Sequence, residues 1–272
     1  MGDFNIHEWN KKRYLKEAQG QPKAIILSGA PGAGKGYVLN GLNLDNIKVL
    51  NVDNTYIELL KQANVSLDLK NATPEERSKQ AIAMAQANKE FKGKVAATIE
   101  AKESFILDGT AASIKQTAKL KNELEEAGYE VFMLYVYTDL ERSLKQNQDR
   151  FEKSGGKDRS LAPAIVLRTW SDVTSNYKAY DAMFKDNFVS VANTLEDEKL
   201  SDVADIVKKY LDPFKPTGTK PKTASQQARS DKSKADLNAK VQDLLSDEQV
   251  QMIVNNSVSK EEAQEKINQF LN

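Results

Sequence analysis

The sequence predicts an α/β protein, a three-layer sandwich in which helices cover both faces of a mostly parallel β-sheet. Three observations predict this class. Short apolar runs alternate with helical patterns from Lys23 to Leu211, one run (Tyr129–Tyr137) is rich in β-branched and aromatic residues, and a glycine cluster directly follows the first run. Alternating strands and helices favour a parallel sheet, because the crossover helices cover its faces.

Five strands are predicted, each from an apolar run bounded by polar or turn-forming residues. They are Lys23–Ser28, Ile47–Val52, Ser104–Leu107, Tyr129–Tyr137 and Asn187–Ala192. A helix is predicted to start after the glycine cluster, at Tyr37. A long one starts after Thr73, a residue type suited to the N-cap position. Further helices are predicted for 114–127, which ends before Gly128, and for 201–211.

Composition divides the chain into four parts. Residues 1–20 are highly charged with a few apolar positions, which predicts a short docking helix, and residues 21–211 form the main domain. Residues 212–234 hold three of the seven prolines and few apolar residues, so they are predicted to be a flexible linker. Residues 235–272 regain amphipathic patterns and predict a small helical module that docks a protein partner or mediates oligomerisation.

The composition also excludes several classes of function. The 39 Lys and Arg residues balance 39 Asp and Glu residues, which argues against a globally basic protein that wraps nucleic acid. With no cysteine and one histidine, the chain cannot use disulfides, thiolates, Cys/His zinc sites or a histidine-based triad. No apolar stretch is long enough to span a membrane. We therefore expect a soluble, cytoplasmic protein whose chemistry depends on carboxylates, Lys, Arg and backbone amides.

A glycine-rich loop between the first strand and the next helix predicts a phosphate-binding site. Glycines allow a tight turn whose N–H groups point at phosphates, and the N-terminus of the following helix favours the polyanion. A lysine at the end of such a loop reaches the β- and γ-phosphates. The fold is therefore expected to be of the P-loop type, with ATP as cofactor. The nucleotide-binding residues are predicted to be Gly29, Ala30, Pro31, Gly32, Ala33, Gly34, Lys35, Gly36 and Tyr37.

The loop departs from the usual pattern at Gly36, where a Ser or Thr normally places its hydroxyl on Mg²⁺. Its sequence, GAPGAGKG, resembles the loop of adenylate kinases, which also have glycine there but continue with threonine. Tyr37 occupies that next position here. Magnesium is therefore expected to be held mainly through water and nearby carboxylates.

Two carboxylates follow the second and third predicted strands. Ligands of open parallel sheets bind beyond the carboxyl ends of the strands, so Asp53 is predicted to face the loop and to accept the proton of an attacking hydroxyl. An N-cap role for Asp53 is the alternative. Asp108 is predicted to order the water shell of the metal, with Asp-Gly turn chemistry as the alternative. Thr110 is expected either to hydrogen-bond the acceptor or to cap a helix.

Phosphoryl transfer also needs positive charge on the migrating group, and arginines follow the fourth predicted strand. Arg142, Arg150, Arg159 and Arg168 lie in a region that contains the flexible tract 154–157, which suits a lid. Arg150 and Arg159 flank this tract, so they are the predicted contacts to the phosphoryl group. The alternative for each arginine is a solvated surface role.

Taken in order, these segments resemble the zeta-toxin-like P-loop kinases. The motifs are the loop 29–35, VDNT at 52–55, LDGT at 107–110, EAGYEV at 126–131 and RFE at 150–152 with Arg159. The resemblance covers about residues 23–211. It implies the core of nucleoside monophosphate kinases and transfer of phosphate from ATP, with Mg²⁺, to a hydroxyl of an amino-sugar nucleotide.

The resemblance also implies roles for individual residues. Lys35 would bind the phosphates, Asp53 would be the base and Thr110 would lie near the acceptor, while Arg150 and Arg159 would contact the transferring group. Asp108 stands where the toxins tend to have Glu. The sequence TAAS at 110–113 lacks the arginine that adenylate kinases carry there, which argues against a nucleoside monophosphate acceptor bound in their manner.

The leading hypothesis is therefore an ATP-dependent kinase that acts on a hydroxyl of a small molecule or sugar nucleotide. A polynucleotide 5′-hydroxyl kinase is a second hypothesis, made less attractive by the zero net charge. A third is a nucleotide-binding structural or regulatory protein without catalysis, which the missing loop hydroxyl at Gly36 favours.

Overall fold

The computed structural model describes residues 21–41, 47–69, 71–156, 158–159, 161–193, 223–246 and 248–271. The docking helix predicted in 1–20, the helix predicted for 201–211 and the first part of the predicted linker lie outside these residues. None of the described helices is both long enough and apolar enough to cross a bilayer.

Five parallel strands form the sheet, as the sequence predicts. Their order across the sheet is β2-β3-β1-β4-β5, and every neighbouring pair is parallel. The central strands β1 and β4 are covered on both faces, which explains their near-continuous apolar sequences. The strands are β1 (Lys23–Ser28), β2 (Lys48–Asn51), β3 (Phe105–Asp108), β4 (Glu130–Tyr137) and β5 (Phe188–Ala192).

Helices connect the strands and cover both faces of the sheet. The longest starts at a capping box, in which the Glu76 amide donates to the Thr73 hydroxyl and the Thr73 amide donates to the Glu76 carboxylate. This confirms Thr73 as an N-cap. The helices are α1 (Lys35–Gly41), α2 (Val52–Gln62), α3 (Pro74–Glu100), α4 (Ile114–Glu126), α5 (Leu140–Lys153), α6 (Pro163–Ser175), α7 (Tyr177–Phe184), α8 (Ala224–Ser246), α9 (Glu248–Asn256) and α10 (Lys260–Leu271).

The core consists of one apolar cluster on each face of the sheet and a third cluster between α2 and α3. Trp170 and Tyr135 are buried in the first cluster, and Leu27 and Phe132 are buried in the second. Leu60 is buried in the third. The two large clusters fix the sheet between helical layers, so the carboxyl ends of β1, β2 and β3 meet at one edge.

The C-terminal helices correct two sequence-based expectations. Residues 224–234, which are predicted to be linker, form the first part of α8. This part of the helix is exposed to solvent and contains few apolar residues, so its composition resembles that of a linker. Residues 235–272 do not enclose a core of their own. Val241 is buried in the first cluster and Ile267 and Phe270 in the second, so these helices complete the core of the main domain. That they also bind a partner stays a prediction.

Candidate active site

The phosphate loop leaves the carboxyl end of β1 and leads directly into α1. Gly32 and Gly34 both have a φ of +79°, which is in the left-handed region that favours glycine. A Cβ atom on Gly32 would lie 2.5 Å from the Ser143 carbonyl oxygen. Glycine is therefore required at Gly32 for both the backbone conformation and the close approach of α5.

Three neighbouring segments hold the loop in place. The Asn193 side-chain amide donates to the Ala33 carbonyl at 2.9 Å, and the Ser143 hydroxyl donates to the Pro31 carbonyl. The Gly29 amide donates to the Thr110 carbonyl at 3.2 Å. The loop is thus fixed from β5, α5 and the end of β3, and Thr110 uses its main chain to support it. Ser113, not Thr110, caps α4.

The Lys35 ammonium group folds back over the loop. It donates to the Gly29 carbonyl at 2.7 Å and to the Ala30 carbonyl at 3.2 Å. Burial lowers the pKa of Lys35 from 10.5 to about 8, and the charge of Asp108 acts in the opposite direction. A triphosphate would offer this ammonium group charged acceptors in place of two neutral carbonyls.

Asp53 lies in the first turn of α2 with its carboxylate facing the loop. Asn51 is the N-cap of this helix, since its side-chain oxygen accepts from the Asp53 amide at 2.7 Å. The alternative interpretation of Asp53 as an N-cap is therefore wrong. The Asp53 carboxylate instead forms an ion pair with the Arg159 guanidinium group, which also lies 6.0 Å from the centre of the Tyr56 ring.

Asp108 is the last residue of β3 and lies beside the end of β2. The parallel register pairs it with Asn51, whose side-chain amide donates to the Asp108 carboxylate at 2.6 Å. Burial raises the pKa of Asp108, while the nearby Lys35 ammonium group acts to lower it. The Asp-Gly pair thus places a strongly held carboxylate next to the phosphate loop.

Two of the arginines lie near the phosphate loop. The Arg150 guanidinium group pairs with Asp158 at 3.1 Å and Arg159 pairs with Asp53, and both side chains line the same cavity as the loop. Arg168 is exposed on α6. Two hydrogen bonds between the Asn147 side chain and the Leu161 main chain, of 2.9 and 3.2 Å, connect α5 to the segment that carries Arg159.

These groups surround one cavity of about 480 Å³, which we call the central cavity. Lys35, Asp53, Asp108, Thr110, Arg150 and Arg159 all line it, so the structure brings together the residues that the sequence singles out. Gly29 and Ala30 do not line it. Its walls are Pro31, Gly32, Ala33, Gly34, Lys35, Gly36, Tyr37, Asn51, Val52, Asp53, Asp108, Gly109, Thr110, Gln146, Arg150, Arg159, Leu161, Ile165 and Thr169.

The family model of the zeta toxin matches residues 6–202. The chain belongs to the zeta toxin family. Among curated proteins, none matches the chain. The match includes every residue of the central cavity and ends before α8, so helices α8 to α10 lie outside the part shared with the zeta toxin family.

The chain is also similar to several solved structures. The AvrRxo1-ORF1:-ORF2 complex is 16% identical over 84% of this chain and 82% of that chain, with a TM-score of 0.51. The same complex with ATP is 15% identical over 85% and 79%, with a TM-score of 0.49. A structure from the PezAT chromosomal toxin–antitoxin system of Streptococcus pneumoniae is 17% identical over 90% and 98%, with a TM-score of 0.48.

Zeta toxin membership implies Mg²⁺, and the carboxylates of the site fit a hydrated ion. Among the described residues, no group of three or more His, Asp or Glu side chains is placed to enclose a metal. Mg²⁺ usually keeps several waters and uses one or two carboxylates plus substrate phosphates. Asp108 lines the central cavity with the phosphate loop, so it is the residue that would hold the ion, in part through water.

Several supporting residues are not among those predicted from the sequence. Asn51 orients both Asp53 and Asp108, while Ser143 and Asn193 hold the loop. Asn51 could have been suspected, because Asn two residues before Asp53 is a frequent N-cap. Asn193 lies 160 residues from its partner Ala33 and belongs to no motif.

Proposed function

We propose that this protein is an ATP-dependent kinase that transfers the γ-phosphoryl group to a hydroxyl of a small-molecule or sugar-nucleotide acceptor. Membership of the zeta toxin family supports a phosphotransferase of the P-loop kinase type. The observation that carries the finer proposal is the central cavity, in which the phosphate loop faces a carboxylate base candidate and two arginines.

The nucleotide half of the reaction depends on the loop and Lys35. Backbone amides and the N-terminus of α1 bind the phosphates, and the Lys35 ammonium group moves from the carbonyls of Gly29 and Ala30 to the β- and γ-phosphates. When bound, Mg²⁺ supplies further neutralisation of the phosphate charge. Gly36 offers it no hydroxyl, so Asp108 would hold it, in part through water.

The acceptor half depends on Asp53. Its carboxylate accepts the proton of the acceptor hydroxyl as that oxygen bonds to the γ-phosphorus, and the bond from the γ-phosphorus to the leaving oxygen of ADP breaks. Arg150 and Arg159 stabilise the negative charge on the transferring group. Arg159 must leave Asp53 for this to occur, since the two side chains form an ion pair in the structure.

The test is Asp53→Asn, which keeps the shape of the side chain and removes the base. We expect the rate of phosphoryl transfer to fall by about 10²- to 10⁴-fold, the usual contribution of a general base, with the affinity for ATP nearly unchanged. Purified protein is incubated with labelled ATP, Mg²⁺ and a metabolite extract to identify the acceptor, and turnover is then measured on that compound.

Asp149→Asn is the matched control. Asp149 pairs with Lys153 on the surface of α5 and does not line the central cavity, so its variant should keep wild-type turnover. Full turnover by Asp53→Asn would refute the assignment of the base. Tight ATP binding by the wild type without a labelled product from any acceptor would instead support the non-catalytic hypothesis.

A further inference from the structure

A second cavity of about 770 Å³ adjoins the phosphate loop, and we call it the side cavity. It shares Gly34, Tyr37 and Gln146 with the central cavity, so the two are contiguous at the point where the loop becomes α1. The residues proposed for catalysis, Asp53 and the two arginines beside it, do not line the side cavity. One of its walls consists of Val258, Ser259, Lys260 and Glu261, which we call the C-terminal wall.

The C-terminal wall is fixed to the sheet. The Val258 amide donates to the Ser190 carbonyl of β5 at 2.8 Å, and the Ser259 hydroxyl accepts from the Glu262 amide at 3.1 Å at the start of α10. Burial of Ile267 and Phe270 further along α10 holds this helix against the sheet. The C-terminal wall is therefore an integral part of the domain, although it lies beyond the residues that match the zeta toxin family.

Lys260 projects from this wall onto α1. Its ammonium nitrogen lies 3.7 Å from the centre of the Tyr37 ring, close enough for a cation–π interaction. Tyr37 is 64% exposed, so much of its surface remains accessible to a ligand. Arg142 and Gln146 of α5 line the same cavity. The cavity thus combines an accessible aromatic ring with two cations, a combination that suits a flat aromatic base.

We propose that the C-terminal wall completes the nucleotide site and that Lys260, together with Tyr37, determines the affinity for the nucleoside half of the ligand. This inference rests on the proposed function. A triphosphate whose γ-phosphorus faces Asp53 must direct its nucleoside away from the acceptor, and the shared residues Gly34 and Tyr37 lead into the side cavity. The ligand class is a nucleoside triphosphate with an aromatic base, bound partly by α10.

The test compares ATP with inorganic tripolyphosphate, which contains the phosphates without the nucleoside. For Lys260→Ala we expect the Kd for ATP to rise by roughly two- to thirtyfold, the range of a cation–π contact between the ammonium group and the base, with the Kd for tripolyphosphate unchanged. Lys260→Arg keeps the cation and should restore most of the affinity for ATP. Calorimetric titration of the wild type and of each variant, as full chains, with both ligands measures these dissociation constants.

Lys266→Ala is the matched control, because it removes the same charge from the same helix. Lys266 lines a different cavity with Lys23 and Glu130, so its variant should bind both ligands like the wild type. If Lys260→Ala binds ATP normally, or loses both ligands equally, the inference is refuted while the proposed function stands. If the wild type binds neither ligand, the proposed function fails.

Discussion

The Lys35 ammonium group is subject to opposing effects that make its protonation sensitive to a ligand. Burial lowers its pKa to about 8, while Asp108 and Asp53 favour the charged form. A bound triphosphate adds further negative charge next to it, so binding should raise the pKa again. ATP binding is therefore expected to be coupled to proton uptake by Lys35 at alkaline pH.

We predict that the affinity for ATP is nearly constant below pH 7 and falls above about pH 8, where the free protein loses the Lys35 proton. The loss approaches tenfold per pH unit, as for any single required proton. Titrations at pH 7 and pH 9, each in two buffers of different ionisation enthalpy, measure the affinity and the proton uptake.

Lys35→Arg provides the control, because a guanidinium group stays charged throughout this range. That variant should show little dependence on pH. Equal wild-type affinity at pH 7 and pH 9 would contradict the assignment of Lys35.

The lowered pKa of Lys35 also affects the stability of the fold. Lys35 has its ordinary pKa of 10.5 in the unfolded chain, so the unfolded chain binds more protons than the folded protein between about pH 8 and 10.5. The free energy of unfolding should therefore rise as the pH increases across this range.

The sequence singles out the candidate catalytic residues but not the residues that hold the phosphate loop in place. Lys35, Asp53 and Asp108 could be found because each follows a recognisable strand, and strand ends of a parallel sheet meet at one edge. Ser143 and Asn193 could not be found, because their hydrogen bonds to the loop join segments far apart in the chain. Local patterns carry no information about such contacts.

At the scale of helices and strands, buried elements can be predicted from the sequence more accurately than exposed ones. The predicted strand ends agree with the structure to within one residue. For the central strands β1 and β4 the reason is that apolar runs covered on both faces end where the burial ends. The start of α8 is not predicted from the sequence, because this part of the helix is not buried. Its first half is solvent-exposed, and an exposed helix and a flexible linker have similar compositions.

The capping box of α3 offers a test at this scale. Thr73→Ala removes the hydroxyl that accepts from the Glu76 amide, so we expect the free energy of unfolding to fall by about 1 kcal/mol. Urea denaturation followed by circular dichroism measures the change. Thr73→Ser keeps the hydroxyl and should retain most of the stability, whereas identical stability of the Ala variant and the wild type would show that the box contributes nothing.

For the molecule as a whole, the C-terminal helices belong to the same core as the sheet. Phe270 is 7% exposed and packs against Phe132 of β4 with ring centres 5.0 Å apart. Val241 is buried in the cluster on the other face, together with Trp170. Helices from the C-terminal part of the chain thus pack on both faces of a sheet formed within residues 23–192.

This arrangement predicts that damage to α10 destabilises the entire fold. Phe270→Ala should lower the free energy of unfolding by about 3–5 kcal/mol, the usual cost of deleting a buried aromatic ring. Denaturation is followed by the fluorescence of the buried Trp170 in a Trp9→Phe background. Gln269→Ala, at an exposed position of the same helix, should leave the transition unchanged.

An unaltered Trp170 transition in Phe270→Ala, with loss of helical signal alone, would instead show that the C-terminal helices fold as the separate module that the composition suggests.

The ion pair between Arg159 and Asp53 determines when the Asp53 carboxylate becomes available in the proposed kinase. While the ion pair is formed, the Arg159 guanidinium group cannot bind a phosphoryl group and the Asp53 carboxylate cannot accept a proton from a hydroxyl. A bound phosphoryl group competes with Asp53 for the arginine. Once Arg159 binds the phosphoryl group, the Asp53 carboxylate is free to accept a hydrogen bond from the acceptor hydroxyl. In the absence of an anionic phosphoryl group the ion pair persists, so the Asp53 carboxylate of the ligand-free protein stays paired with the arginine.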